Sequence, residues 1–554
     1  MRKSGWFFWA VTACLFLFLL PGPAAGQENQ NEANLSPQMA LDQALLREKT
    51  YAENLAAYAP LAETYLQEFP PDTRQGVLPK KDYYSISQLT FTKGIESKPF
   101  LESTFFQRLW SRFGFGVIYR SAGFAEPMVF TQTNFDRSNY DFQYVRREFL
   151  GEVRCFVFDV TPTKKRPGDF MGRIWVEDRD YNIVRFNGAF VGDSRFRLFF
   201  HFDSYRENVK PGVWLPTYIY AEESDKVQGL LATRVRLRAL TRIWGYERKQ
   251  FRMDEFTSIQ VEDPPGVKDE TDPGKDLTPL EAMRSWRQQA EDNLLDRMQA
   301  AGVLAPKGEV DKVLQTVVNN LIVTNNLEIQ PEVRCRVLLT TPLESFTVGH
   351  TIVLSRGLID VLPDEASLGA ILAHELGHIT ASHSVDTKHA FHDRMIFEDY
   401  QVMRRISLKR NVAEEKEADE KGLAFLKNSP YKDKLENAYL FLRAAQKASR
   451  ETPQLLRGHF GNSLELKKRA ERMAAVAGST PQDSAVPWDR ITALPLGARV
   501  KVDSLTGKVA MAKSKPAPLY SPRDKLEFQL APLSPFLYRM PPQPARVASA
   551  SPGM

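Results

Sequence analysis

The pentapeptide His374-Glu375-Leu376-Gly377-His378 constrains this chain more than any other stretch. Its flanks set it on a helix: Pro363-Asp364-Glu365 supplies a start signal, and Leu368, Ile371, Leu372 and Ile379 recur at the spacing of one buried stripe. Residues four apart on a helix project from one face, so both imidazoles can reach one tetrahedral ion while Glu375 flanks an open coordination position. That is a zinc-hydrolase arrangement. Chance would place such a pentapeptide in about one chain in a hundred, so a third ligand must be found. A third histidine on the same stretch would need Gly at 381 and His at 384; the chain has Ala381 and Ser384, with His383 one residue out of step. The other source is a glutamate from a second helix. Glu415-Lys416-Glu417-Ala418-Asp419 places Glu415 and Asp419 on one face, followed by Gly422 and an apolar stripe at Leu423 and Leu426.

At 554 residues the chain exceeds one core, and its 43% hydrophobic and 25% charged content is that of a folded multidomain protein. A net charge of +5 without a Lys/Arg block excludes a nucleic-acid-binding surface as the main function. Residues 1–26 read as a signal peptide, with Arg2 and Lys3, an apolar run from Trp6 to Leu20 too short to span a bilayer, and small residues before Gln27. Cys155 and Cys335 fall in separate apolar runs and read as buried free thiols. Residues 27–80 read as a helical segment, with Ala and Leu at helical spacing through Phe69. Residues 81–260 change to β-branched and aromatic runs broken by turns, an antiparallel β-rich domain. Within it Arg234, Arg236 and Arg238 form a row that reads as a solvated face. Residues 261–279 are a Pro- and acid-rich linker, 280–478 a mainly helical domain holding seven of the eight histidines, and 479–554 a Pro-rich extension with a hairpin at "ARVKVDSLTGKVAMA".

The run Phe346 to Gly349, "TIVLSRGLIDVL", Asp364-Glu365-Ala366, "ILAHELGHI" and the Glu415-x-x-Ala418-Asp419 element resembles the HtpX and CaaX-prenyl-protease family of zinc metallopeptidases. It resembles the soluble, BepA-like periplasmic branch more closely than the integral-membrane members, over about residues 280–475. The resemblance implies an α+β chain whose second part is a mainly helical zincin (gluzincin) domain with a small β-sheet. It also implies one zinc per chain on His374, His378 and Glu415, Glu375 as general base toward a zinc-bound water, and Asp419 as hydrogen-bond acceptor for a ligand histidine. Between the motifs, residues 384–414 are too charged to cross a bilayer, and His389 and His392 read as bystanders. His459 stands where relatives carry a late His-Pro, but Phe460 follows it; an oxyanion or metal role and an ordinary loop role both remain open. Glu344-Ser345 replaces the common Asn-Ala of relatives. The strand from Thr351 to Ser355 is read as an edge on which an extended substrate pairs, through Thr351, Val353 and Ser355.

The strands "FLGEVRCFVFDV", "FMGRIWVEDRDYNIVRFNG" and "NVKPGVWLPTYI" resemble the curved half-barrel sheets of the LolA and LolB lipoprotein carriers. Together these features lead to an exported, periplasmic zinc metalloendopeptidase acting on unfolded or envelope polypeptides, with peripheral membrane or lipoprotein contact through the β-rich domain. The competing expectation is a catalytically silent chaperone or scaffold, or a lipid or lipoprotein carrier working through that domain.

Overall fold

The structure, a computed structural model, describes residues 36–70, 79–91, 94–100, 135–166, 168–191, 201–228, 233–247, 279–391, 397–462, 496–497, 499–512, 528–530 and 532–541. The signal-peptide reading, almost all of the linker and His392 lie outside these residues. Helix α1 (Pro37–Leu55) starts at Ser36, whose hydroxyl accepts from the Gln38 N–H. The helical texture expected through Phe69 ends at Leu55, and Leu61–Phe69 forms strand β1. Residues buried on both faces of a sheet lose the apolar/polar alternation that marks a strand. Leu61 and Tyr65 enter one core while Ala62 and Leu66 enter another, so the apolar residues of β1 fall in pairs four apart, the spacing of a helix.

Strand β1 lies inside a ten-stranded antiparallel sheet with β2 (Lys81–Thr90), β3 (Glu96–Pro99), β4 (Tyr140–Leu150), β5 (Val153–Pro162), β6 (Phe170–Glu177), β7 (Ile183–Phe190), β8 (His201–Lys210), β9 (Val213–Gln228) and β10 (Thr233–Trp244). Their order is β3-β2-β1-β10-β9-β8-β7-β6-β5-β4, so the β-rich unit begins at Leu61 rather than at residue 81. One face takes α1, fixed by a buried pair in which the Arg206 guanidinium donates to both Glu48 oxygens (2.7 and 2.9 Å) and lies 3.7 Å over the Tyr51 ring. The arginine row is not an open solvated face. Arg236 and Arg238 share Glu222, and Arg238 also lies over Phe69 and reaches Gln529 of a C-terminal strap. The Arg234 side chain lies outside the described residues.

The other sheet face shares its core with the second half of the chain: Tyr65, Trp214 and Trp244 belong to the same apolar cluster as Leu354 and Leu376. This half comprises α2 (Pro279–Ala300), α3 (Glu309–Thr324), β11 (Arg334–Leu338), β12 (Ser345–Val348), β13 (Thr351–Ser355), α4 (Arg356–Val361), α5 (Glu365–Thr380), α6 (Asp399–Met403), α7 (Val412–Lys427), α8 (Leu435–Ala448) and α9 (Pro453–Leu456). In the small sheet β13 pairs in parallel with β11 and antiparallel with β12. Thr351–Ser355 is therefore the central strand, and its five residues are all buried. The edge assigned to it from sequence belongs to β12, because the Gly349-His350 turn folds β12 against β13 on the side opposite β11.

The hairpin near the C-terminus forms as β14 (Val500–Val502) and β15 (Val509–Met511). It ties both halves together: the Gly497, Arg499 and Val500 N–H groups donate to Asp360 on α4, while the Ser504 hydroxyl donates to Glu207 on β8. Cys155 and Cys335 are buried and free, and burial raises both thiols, Cys335 to about 12. Among the described residues no helix is long and apolar enough to cross a membrane.

Candidate metal centre

Helix α5 begins where the Asp364 carboxylate accepts from the Ser367 N–H. Its partner α7 begins with a reciprocal cap, Asn411 accepting from the Glu414 N–H while the Glu414 carboxylate accepts from the Asn411 N–H. The two helices cross at glycines. A Cβ on Gly377 would collide with the Ala418 carbonyl, and one on Gly422 would lie 2.9 Å from the Ala373 carbonyl oxygen. That close approach brings Glu415 and Asp419 against His374 and His378.

All four of these side chains and Glu375 are buried. The His374 and His378 Nε2 atoms face each other at 3.1 Å, and each lies 3.4 Å from a Glu415 oxygen. The three donor atoms fall within 4.8 Å of one another, a cluster that could hold a metal ion. His374 Nδ1 lies 2.6 Å from the Asp419 carboxylate, which accepts a hydrogen bond from the ring N–H there and leaves the Nε2 lone pair aimed at the centre. Burial pushes His378 down against the pull of Glu415 and Glu375, favouring the neutral ring that a metal requires. Two imidazole lone pairs and a carboxylate converging in a buried space form a donor set suited to a divalent cation.

Three residues beyond the sequence-derived set shape this centre. The Ser345 hydroxyl donates to Glu375 Oε1 at 2.7 Å and fixes the carboxylate beside the ligands. The Asn462 amide donates to Glu415 Oε1 at 2.7 Å, and its carbonyl accepts from the Arg410 N–H. Arg410 donates to the Thr347 carbonyl (3.2 Å) and hydroxyl (2.7 Å). The Ser345 signal was its departure from the Ala of relatives. Neither Asn462 nor Arg410 carries a sequence signal, since each acts from a loop on a residue 47 or more positions away in the chain.

Among the described residues β12 pairs with β13 on one side and with no strand on the other. The Ser355 N–H donates to the Glu344 carbonyl, so alternate residues Ser345 and Thr347 direct their backbone groups away from β13. Two loops lie on that edge. Arg410 occupies the Thr347 carbonyl, and a Cβ on Gly461 would sit 3.0 Å from the Ser345 carbonyl oxygen.

His459 is not part of the donor cluster. Its ring stacks on Tyr84 of β2 at 4.8 Å, its N–H donates to Glu344, and burial lowers its pKa to about 4. Thr351, Val353 and Ser355 are buried in the middle of the small sheet, and the Ser355 hydroxyl caps α4 by accepting from the Leu358 N–H.

No curated protein matches the chain. Among solved structures it is similar to a LolA superfamily protein from Nitrosomonas europaea at 13% identity and a TM-score of 0.19, covering 40% of this chain and 98% of that one. A likeness that low assigns no fold to the large sheet. The model for Peptidase family M48 matches residues 309–392, from α3 through the helix that bears His374 and His378, which supports a metallopeptidase domain of that family.

Proposed function

We propose that this chain is an exported zinc metalloendopeptidase that hydrolyses peptide bonds in unfolded or envelope polypeptides. The observation that carries the reading is the convergence of two Nε2 atoms and the Glu415 carboxylate, with Glu375 buried beside them. His374, His378 and Glu415 would hold one zinc, which when bound supplies Lewis acidity toward water and the scissile carbonyl. Glu375 follows His374 on α5, is oriented by Ser345, takes the proton of the attacking water and passes it to the leaving amine. Asp419 holds the His374 ring in the tautomer that ligates. The substrate adds as an extended strand to β12, using the outward backbone groups of Ser345 and Thr347, a mode that reads backbone rather than side chains. Arg410 must leave the Thr347 carbonyl, and the loop at Gly461 must leave the Ser345 carbonyl, for that strand to enter. The apolar run from Trp6 to Leu20 supports export.

The test is metal content and casein cleavage by the mature protein, with Glu375→Gln and Glu415→Ala beside wild type. The reading requires about one zinc per chain in wild type. Glu375→Gln keeps the metal and loses about 10²- to 10⁴-fold in turnover, and Glu415→Ala loses both. A wild-type protein that stays metal-free after zinc reconstitution would sink it.

A further inference from the structure

The two ligand histidines are supported differently. His374 Nδ1 faces a carboxylate, whereas His378 Nδ1 lies 2.9 Å from His383 Nδ1. When His378 uses Nε2 as a ligand atom, its proton resides on Nδ1 and needs an acceptor. His383 Nδ1 is placed to be that acceptor, provided His383 carries its own proton on Nε2. That Nε2 lies 3.4 Å from Glu417, whose other oxygen pairs with Lys421 at 3.2 Å.

The backbone explains how His383 arrives there. Helix α5 ends with the Ser382 N–H donating to the Ile379 carbonyl and the His383 N–H donating to the His378 carbonyl. This paired closure needs a left-handed residue at its corner, and Ser382 supplies it at φ 57°. A serine there is strained relative to the glycine usual at such a corner. The closure sets the residue after the corner against the one five before it, a contact that is ordinarily apolar. Here both positions are imidazoles, and the contact is a hydrogen bond. The position one residue out of step for a third ligand is in step for supporting the second.

We propose that His383 is a positioning residue that fixes the tautomer and ring plane of His378 for metal binding, with Glu417 orienting His383 in turn. The proposal rests on the metallopeptidase reading above. One helix, α7, then supplies the ligand Glu415, the acceptor Asp419 for one histidine and the anchor Glu417 for the support of the other.

The experiment uses the full mature protein and measures zinc affinity by competition with a chromophoric chelator, together with the thermal midpoint of the metal-free form. His383→Ala is expected to loosen zinc about 10- to 100-fold while leaving the metal-free midpoint in place. His383→Asn, whose Oδ1 can stand at the Nδ1 position, is expected to restore most of the affinity. Unchanged affinity in His383→Ala overturns the proposal. So does a loss that His383→Asn does not restore, which would assign His383 to packing. Failure of wild type itself to bind zinc would overturn the metallopeptidase reading instead, so the two failures are distinct.

Discussion

Glu344 is a buried carboxylate that holds a loop. Its Oε2 accepts from the His459, Phe460 and Gly461 N–H groups, while its Oε1 is buried without a hydrogen-bond partner among the described residues. Burial outweighs these three bonds and raises its pKa from 4.5 to about 7. In the same loop burial, with help from Arg457 and Lys409, lowers His459 from 6.5 to about 4. The two act in opposite directions on stability. A raised acid binds more protons folded than unfolded, so the Glu344 contribution is present below 4.5 and is lost as pH rises through about 7. The lowered His459 contributes above 6.5 and loses that contribution as pH falls through about 4. Between 4.5 and 6.5 the two offset each other in wild type. Glu344→Gln keeps an oxygen acceptor for the loop and removes the acid. Urea unfolding at pH 5 and pH 8 should show the variant gaining about 2 to 3 kcal/mol on wild type across that interval. Parallel behaviour of the two proteins would mean that Glu344 is ionised throughout.

At the scale of elements, β12 is the strand that matters, and Arg410 is what an incoming strand meets first. The guanidinium already holds the Thr347 carbonyl, the acceptor that an added strand would use. Replacing it with methionine keeps the aliphatic stem and removes the competing donor, whose net worth is about 1 kcal/mol. KM for an extended peptide should then fall about fivefold, with kcat little changed, in a steady-state comparison of Arg410→Met and wild type. A rise in KM would instead make the guanidinium a substrate contact.

The same strand shows why part of the site was legible in sequence and part was not. His374, Glu375, His378, Glu415 and Asp419 lie on two helices, where a fixed period converts spacing directly into a shared face. Ser345, Arg410 and Asn462 act across loops, for which no period exists. The apolar run Thr351–Ser355 marks a strand, and a run of that kind fits a central strand as well as an edge. In β1 the same double burial disguised a strand as a helix.

At the scale of the whole molecule, the large sheet is joined to the metal-bearing half through charge as well as apolar surface. Glu63 on β1 accepts from Arg356 at 2.6 Å, from the Thr341 hydroxyl at 2.8 Å and from the Tyr84 hydroxyl at 2.9 Å. Both members of the Glu63–Arg356 pair are at most 2% exposed. Beside it, Asp82 on β2 accepts from the Gln454 and Leu455 N–H groups of α9, just ahead of the loop that covers the β12 edge. The sheet therefore grips the two segments, 339–344 and 454–461, that flank β12. With a shared core and this buried pair, the two halves should unfold as one cooperative unit. Breaking a buried pair from one side leaves an uncompensated charge and costs about 3 to 5 kcal/mol, whereas replacing both members with apolar residues is close to neutral. Glu63→Met should accordingly destabilise the full chain strongly, and Glu63→Met with Arg356→Met should recover much of the loss. Tryptophan fluorescence and far-ultraviolet circular dichroism in urea should give coincident transitions in wild type. In Glu63→Met they should separate, since the joint fails before either half. A single variant within about 1 kcal/mol of wild type, with coincident transitions, would show that the apolar core alone couples the halves and that the pair only sets their register.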